Sequence, residues 1–211
     1  MIKVTQLDDH NKIVKECTDA IKQYPKNANG YYKRGLAYGY LRKYDEAIED
    51  FNRTIEIKPD YAEVYNSLGA SYYFKKSYDK AIDNYTKAIE LDPEFMKALI
   101  NRVIAYTDLK EYKKAIEDYT KVIEIKPDFA EAYYNRGYIY SLSKDTFKAL
   151  SDYNKALELK PDYALAYYNR GLIYYNQGDY EKAERDWDKA VSLNPDFEKE
   201  IKPIPKGNEA K

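Results

Sequence analysis

Side chains suited to acid–base, nucleophilic or metal chemistry are scarce in this sequence. It has one histidine, His10, and one cysteine, Cys17, which excludes a multi-histidine metal site and a disulfide within the chain. The 36 acidic residues are interspersed with 35 basic ones, and pairing between neighbouring turns of solvated helices explains that pattern. A glycine-rich phosphate loop is absent from the sequence. We therefore predict no catalytic site, no cofactor and no metal.

One combination of charged residues does recur at a fixed spacing. Arginine fills four of five equivalent positions, and an aspartate follows each arginine after 16 residues. The four combinations are Arg34 with Asp50, Arg102 with Asp118, Arg136 with Asp152, and Arg170 with Asp186. The one position that lacks arginine, Leu68, is matched by the one that lacks aspartate, Asn84. We predict structural ion pairs, because the arginine fork meets a carboxylate in a bidentate way; the alternative is a basic stripe for an anionic ligand.

The elements that position these residues are marked by proline. Six of the eight prolines lie 34 residues apart: Pro25, Pro59, Pro93, Pro127, Pro161 and Pro195. Each interval holds two segments with apolar residues at helical spacing, and proline ends the second segment because it cannot continue a helix. Neither helix can bury its apolar face alone, so the two form a hairpin and the hairpins stack.

Superposed intervals give columns of a single residue type. One column is tyrosine throughout, one is alanine, one is aromatic, and one is glycine except at Val103. In the second interval the pattern reads Tyr65, Leu68, Gly69, Tyr72, Ala81, Tyr85 and Pro93. In this pattern the sequence resembles the tetratricopeptide repeat (TPR) family over residues 28–197.

The resemblance implies an all-α fold: an α-solenoid, a right-handed superhelix of antiparallel helix hairpins in 34-residue TPR repeats. The expected domains are an N-terminal half-repeat or capping helix at 1–27, five repeats, and a short turn with a disordered tail at 198–211. The repeats span 28–61, 62–95, 96–129, 130–163 and 164–197. First helices are predicted near 28–41, 62–75, 96–109, 130–143 and 164–177, and second helices near 45–58, 79–92, 113–126, 147–160 and 181–194.

Aspartate and serine are expected to cap these helices. Asp60, Asp128 and Asp162 follow the prolines and are predicted N-caps of first helices. Ser77, Asp145 and Asp179 are predicted N-caps of second helices.

The two ends of the array carry separate expectations. Residues 9–24 align with a second helix, which predicts a core role for Cys17 and a surface position for His10. At the other end, Pro203 and Pro205 stop any additional covering helix early. We therefore expect Trp187 and Val191 to be partly open, a feature that favours self-association into a homo-oligomer through this end.

The family resemblance implies a non-enzymatic scaffold that binds a protein or peptide in a concave groove of first helices. The residues expected to line it are Tyr32, Leu36, Tyr73, Lys97, Ile100, Asn101, Tyr134, Asn135, Tyr138, Tyr168, Asn169, Leu172 and Tyr175. Tyrosine offers a large contact area with one polar tip, and asparagine can pair with a peptide backbone. The alternative is that these tyrosines merely fill the surface common to such solenoids.

Several partners are not expected. A subclass of the family clamps the acidic tails of heat-shock chaperones with lysine, asparagine and arginine, whereas the matching positions here are Tyr32, Leu36, Ser67, Lys97 and Asn101. Only Lys97 fits, so we predict no such clamp. The net charge of −1 lacks the basic footprint of a nucleic-acid or membrane-surface binder. With no apolar leader or membrane span in the sequence, a cytoplasmic location is expected.

Overall fold

The computed structural model describes residues 4–201 and 203. In that part of the chain the regular elements are helices, and strands are absent. The α-helices are α1 (Val4–Gln23), α2 (Ala28–Tyr40), α3 (Tyr44–Ile57), α4 (Ala62–Phe74), α5 (Tyr78–Leu91), α6 (Met96–Asp108), α7 (Tyr112–Ile125), α8 (Ala130–Leu142), α9 (Thr146–Leu159), α10 (Ala164–Asn176) and α11 (Tyr180–Leu193). A 3₁₀ helix follows at Pro195–Lys199. The prediction of an all-α repeat fold is confirmed.

The chain divides into two compact units. The first, which ends at Glu111, contains α1 to α6, and the second, which begins at Tyr112, contains α7 to α11. In the first unit α2 packs on α3 and α4 on α5; in the second unit α8 packs on α9 and α10 on α11. The third predicted repeat contributes one helix to each unit.

Each hairpin turns through one residue in the left-handed region. Arg42, Lys76, Lys110 and Lys144 have φ values of 59° to 64°, and Gly178 has 79°. The backbone N–H of the following residue donates to a carbonyl five residues back, as from Lys43 to Tyr38 at 2.9 Å. This Schellman-type closure satisfies carbonyls that the end of a helix leaves free.

The predicted helix caps are partly wrong. Asp145 and Asp179 do cap α9 and α11, accepting from the backbone N–H groups three residues on at 3.2 and 3.3 Å. Ser77 stands at the N-cap of α5 without a capping side-chain bond.

The first helices begin one residue later than the predicted caps require. Their N-caps are Tyr61, Phe129 and Tyr163 instead of the aspartates before them. The aromatic ring decides the start: Tyr61 packs on Tyr32 with 5.0 Å between ring centroids, and Tyr163 packs on Tyr134 with 4.8 Å. Burying a large ring between repeats outweighs one capping hydrogen bond.

Within each unit, the cores of the hairpins are built from one column of small residues and one column of large residues. The alanine column is fully buried throughout, from Ala47 to Ala183, and the aromatic column from Phe51 to Trp187 is at most 5% exposed. Glycine lets the aromatic ring approach: a Cβ built on Gly69 would lie 2.7 Å from the Tyr85 ring, and one on Gly171 2.6 Å from the Trp187 Nε1.

The expectations for the ends of the array need two corrections. Trp187 is 1% exposed rather than open, because its ring points between the two helices of its own hairpin and its Nε1 donates to the Tyr168 carbonyl at 3.2 Å. His10 is not a free surface residue, since its ring stacks on Tyr40 at 4.6 Å and 5°. Val191 is half-buried. Apart from 198–201 and Pro203, the predicted tail lies outside the described residues.

Candidate functional site

Three of the recurring arginines each donate three hydrogen bonds to two partner side chains, an arrangement that we call the arginine clasp. Arg136 donates from Nε and Nη2 to the two carboxylate oxygens of Asp152, each at 2.8 Å, and from Nη1 to the Thr120 hydroxyl at 3.1 Å. Asp152 is 5% exposed. The bond to the Asp152 carboxylate raises the pKa of the Arg136 guanidinium. The clasp therefore joins α8 to α9 within its own repeat and to α7 of the repeat before it.

The same geometry holds Arg34 and Arg170. Arg34 donates to Asp50 at 2.8 and 2.6 Å and to Thr18 at 3.0 Å. Arg170 donates from Nε and Nη2 to the two carboxylate oxygens of Asp186, each at 2.7 Å, and from Nη1 to the Asn154 side-chain oxygen at 2.5 Å.

Sequence reasoning missed the acceptor on the preceding helix. It lies 16 residues before each arginine, as the aspartate lies 16 residues after it, and is Thr18, Thr86, Thr120 or Asn154. That symmetrical spacing was the available signal. Arg102 and Asp118 belong to different units, so their pairing stays a prediction.

The face made by the first helices of the first unit carries a cavity of about 450 Å³. Its lining includes three of the predicted ligand-binding residues, Leu36, Lys97 and Asn101. Two large rings, Tyr40 and Phe74, lie at this cavity while remaining 63% and 61% exposed. Both occupy the last position of a first helix, a column that sequence reasoning did not examine.

Several predicted residues of this face, including Asn101 of the cavity lining, contact other parts of the protein. Asn101 donates from Nδ2 to Asn66 Oδ1 at 2.9 Å, which ties α6 to α4. The Tyr73 hydroxyl donates to Asp108 at 2.7 Å, and this bond raises the pKa of Tyr73 to about 12. Tyr32 packs on Phe51 and Tyr61, and Ile100 is half-buried.

In the second unit the predicted residues divide in the same way. Tyr134 packs against Tyr153 and Tyr163 and accepts from Asn169 Nδ2 at 2.9 Å. Asn135 and Leu172 are half-buried, while Tyr138 is 44% exposed. Tyrosine and asparagine therefore serve both to join adjacent repeats and to form the surface.

Tyr168 and Tyr175 are covered by the chain itself. The Phe197 ring stacks on Tyr168 at 4.9 Å and 22°. The Tyr168 hydroxyl donates to the Glu200 carbonyl and the Tyr175 hydroxyl to the Pro203 carbonyl, both at 3.3 Å.

A second cavity, of about 580 Å³, lies between α1 and α2 and is lined by His10, Ile13 and Cys17 among others. Burial raises the pKa of the Cys17 thiol, which disfavours the reactive thiolate form. Residues 4–201 and 203 contain no group of three or more histidine, cysteine or acidic side chains placed to hold a metal ion. None of the helices described is long and apolar enough to cross a membrane.

Paired helices that repeat every 34 residues and stack through a buried aromatic column define an α-solenoid. The tetratricopeptide-repeat profile matches residues 28–61, 62–95 and 164–197, and a TPR repeat profile matches 105–143 and 146–178. The chain belongs to the tetratricopeptide-repeat family.

Solved structures show the same fold. MamA is 25% identical, with a TM-score of 0.71 over 78% of this chain and 96% of its own. YrrB, described as a TPR protein with an unusual peptide-binding site, is 24% identical. Its TM-score is 0.71, and the match covers 88% of this chain and 98% of YrrB. BtubC from P. vanneervenii is 17% identical. Its TM-score is 0.75, and the match covers 98% of this chain and 96% of BtubC. No curated protein sequence matches.

Proposed function

We propose that this protein is a non-enzymatic scaffold that binds a peptide or partner segment on the faces formed by its first helices. The observation that carries the proposal is the cavity of about 450 Å³ in the first unit. Its volume falls in the range of roughly 300–1,000 Å³ that is usual for ligand sites. The peptide-binding site described for YrrB supports the same class of function.

The chemistry of this cavity favours a peptide with apolar anchor side chains. The exposed rings of Tyr40 and Phe74 offer area that a ligand can desolvate, the largest source of binding energy at such surfaces. Lys97 and Arg42 supply donors for a carbonyl or a single carboxylate. The clamp for acidic chaperone tails lacks most of its side chains, and we expect no micromolar binding of such tails by calorimetry.

Phe74 and Phe147 provide a matched test. Both are exposed phenylalanines, at 61% and 82%, but only Phe74 lines the cavity. Peptides selected from a random displayed library against the full chain would be measured by fluorescence polarisation. We expect Phe74→Ala to weaken binding about tenfold or more, as for an interface hot spot, and Phe147→Ala to change it less than about twofold.

Circular dichroism spectra and thermal melts establish that the variants are folded. If the peptides bind Phe74→Ala as tightly as the unaltered chain, the cavity is not their binding site. Tyr138→Ala then tests whether they bind the face of the second unit. A library that yields no binder to the full chain contradicts the proposed function itself.

Self-association is the alternative function, and one of its supports is weaker than the sequence suggested. Trp187 is buried, and Phe197 covers part of α10. Light scattering across a hundredfold range of concentration tests the alternative: a constant monomer mass would refute it.

A further inference from the structure

The fifth repeat ends as the fourth does, but the chain after it does not form another first helix. Pro195, Asp196 and Phe197 match Pro161, Asp162 and Tyr163, which precede the first helix of the fifth repeat. Glu200 then falls in the column of Ala98, Ala132 and Ala166, all of which are completely buried. A carboxylate is costly to bury there, and Pro203 cannot donate to a helix. The chain accordingly leaves the helical path after Lys199.

Phe197, Glu200 and Pro203 contact two tyrosines of α10. Phe197 keeps the contact that the N-cap ring of an earlier repeat makes: it stacks on Tyr168 at 4.9 Å, as Tyr163 packs on Tyr134 at 4.8 Å. Beyond it, the carbonyls of Glu200 and Pro203 each accept a hydrogen bond from a tyrosine hydroxyl.

The two hydroxyl donors are well separated on one helix face. Tyr168 and Tyr175 are seven residues apart, which places them about 10 Å apart along the axis of α10. The two acceptors are the carbonyls of Glu200, whose φ of −95° and ψ of −15° are not those of an extended residue, and of Pro203. Pro203 has a carbonyl but no N–H, so it suits a surface that offers hydroxyl donors.

No other repeat has tyrosine in both columns. The residues that match Tyr168 and Tyr175 are Tyr32 with Gly39, Asn66 with Tyr73, Ile100 with Thr107, and Tyr134 with Ser141. The fifth repeat is therefore the one whose sequence supplies both hydroxyls.

We propose that the surface of Tyr168 and Tyr175 is a binding site for a proline-containing segment that presents an aromatic anchor and two backbone carbonyls, and that Phe197, Glu200 and Pro203 occupy it as an internal ligand. This inference rests on the proposed peptide-binding function and names the ligand class for the fifth repeat. The occupant leaves when a partner segment with the same features competes for the site.

The contacts show which part of the internal ligand holds it. Both hydroxyl bonds are 3.3 Å long, beyond the 2.5–3.0 Å of a strong O–H···O bond. The stacked ring of Phe197 therefore provides the main attachment, and its loss should free the site. An aromatic pair of this kind corresponds to about 3- to 10-fold in affinity.

The test uses the full chain and a fluorescent synthetic peptide with the sequence of residues 194–205. We expect Phe197→Ala to bind this peptide about 3- to 10-fold more tightly than the unaltered chain, because the internal competitor is weakened. Adding Tyr175→Phe to Phe197→Ala should reduce that binding again. Phe147→Ala is the control and should bind as the unaltered chain does.

The single tryptophan gives a second readout. Trp187 lies 5.4 Å from the Tyr175 ring, so Phe197→Ala should change its emission and the added peptide should reverse the change. Melting curves identify any variant that is unfolded; Phe197→Leu, which keeps an apolar side chain but loses the stacked ring, then replaces Phe197→Ala and should tighten peptide binding in the same direction by a smaller factor.

Two outcomes would overturn the inference: equal binding of the peptide by Phe197→Ala and by the unaltered chain, or no binding by either. Library peptides that depend on Phe74 would still support the proposed function in that case, so the two proposals fail separately. A peptide with alanine at the position of Phe197 that binds as well as the original would also count against the aromatic anchor.

Discussion

Breaking the clasp at Arg136 should cost far more than removing it altogether. Arg136→Leu leaves the Asp152 carboxylate, which is 5% exposed, without its two 2.8 Å bonds. Loss of one partner from a pair as buried as this typically costs about 3–5 kcal/mol of unfolding free energy. Asp152→Asn keeps one acceptor oxygen for the guanidinium, so we expect this variant to lose about 3 kcal/mol of unfolding free energy, the lower end of that range.

The double variant should recover most of this loss. Arg136→Leu with Asp152→Asn recreates the combination of the second repeat, where Leu68 is 4% exposed and Asn84 donates to the Lys80 carbonyl at 2.8 Å. Replacing both members of a buried pair by residues of similar volume is often close to neutral, so we expect a change within about 1 kcal/mol.

The double-mutant cycle compares the unaltered chain, Arg136→Leu, Asp152→Asn and the double variant. Their unfolding free energies are measured by urea titration followed by circular dichroism. The expected coupling free energy is about 5 kcal/mol or more, far above the roughly 0.3–0.5 kcal/mol error of additivity between independent sites. Additive losses would refute the reasoning, because they would show that the buried carboxylate does not depend on its arginine. The matched pair Lys155 and Glu158, which is exposed and lies on one helix, should show a coupling below about 1 kcal/mol.

Two further predictions follow from the packing and from the tyrosines. Gly171→Ala should lower unfolding free energy by about 1–3 kcal/mol, because its Cβ would lie 2.6 Å from the buried Trp187 Nε1; Gly39→Ala, with no atom within 4 Å of its Cβ, should raise it by up to about 1 kcal/mol. Equal shifts of the melting temperature in Gly171→Ala and Gly39→Ala would contradict this packing prediction. Tyr73 donates to Asp108 and its pKa is raised to about 12, so this bond should stabilise the protein fully below pH 10 and lose its effect as pH rises through about 12. Urea melts of Tyr73→Phe should thus differ from those of the unaltered chain at pH 8 and converge at the alkaline end; a constant difference would contradict the second.

Much of the secondary structure was predictable because its signals are local. The proline interval and the helical spacing of apolar residues gave the bounds of α2 to α11 within about one residue, such as 62–75 predicted against Ala62–Phe74 observed. The N-terminal helix, predicted at 9–24, begins five residues earlier, at Val4. The arginine and aspartate columns could be matched because a repeated sequence supplies several examples of one contact. The structure brings Arg136 and Asp152 together as that match indicated.

Features that depend on competition between contacts could not be predicted in this way. The first helices start after an aromatic residue rather than at Asp60 or Asp162, since ring burial against the preceding repeat outweighs capping. Lys76 and Lys144 adopt a positive φ that their residue type does not favour, because the turn between two packed helices requires it.

The class of fold, the register of the repeats and the arginine–aspartate partners of the first, fourth and fifth repeats could all be derived from the amino-acid sequence, because these depend on periodicity and on residues a fixed distance apart. Which polar side chains remain available to a ligand depends on packing between repeats. Asn101 and Asn169 looked equally suited to a peptide backbone, yet both donate to the neighbouring repeat. Tyr168 lies under Phe197, whereas Phe74 stays open beside a cavity. Exposure and occupancy arise from contacts between distant segments, and no local pattern encodes them.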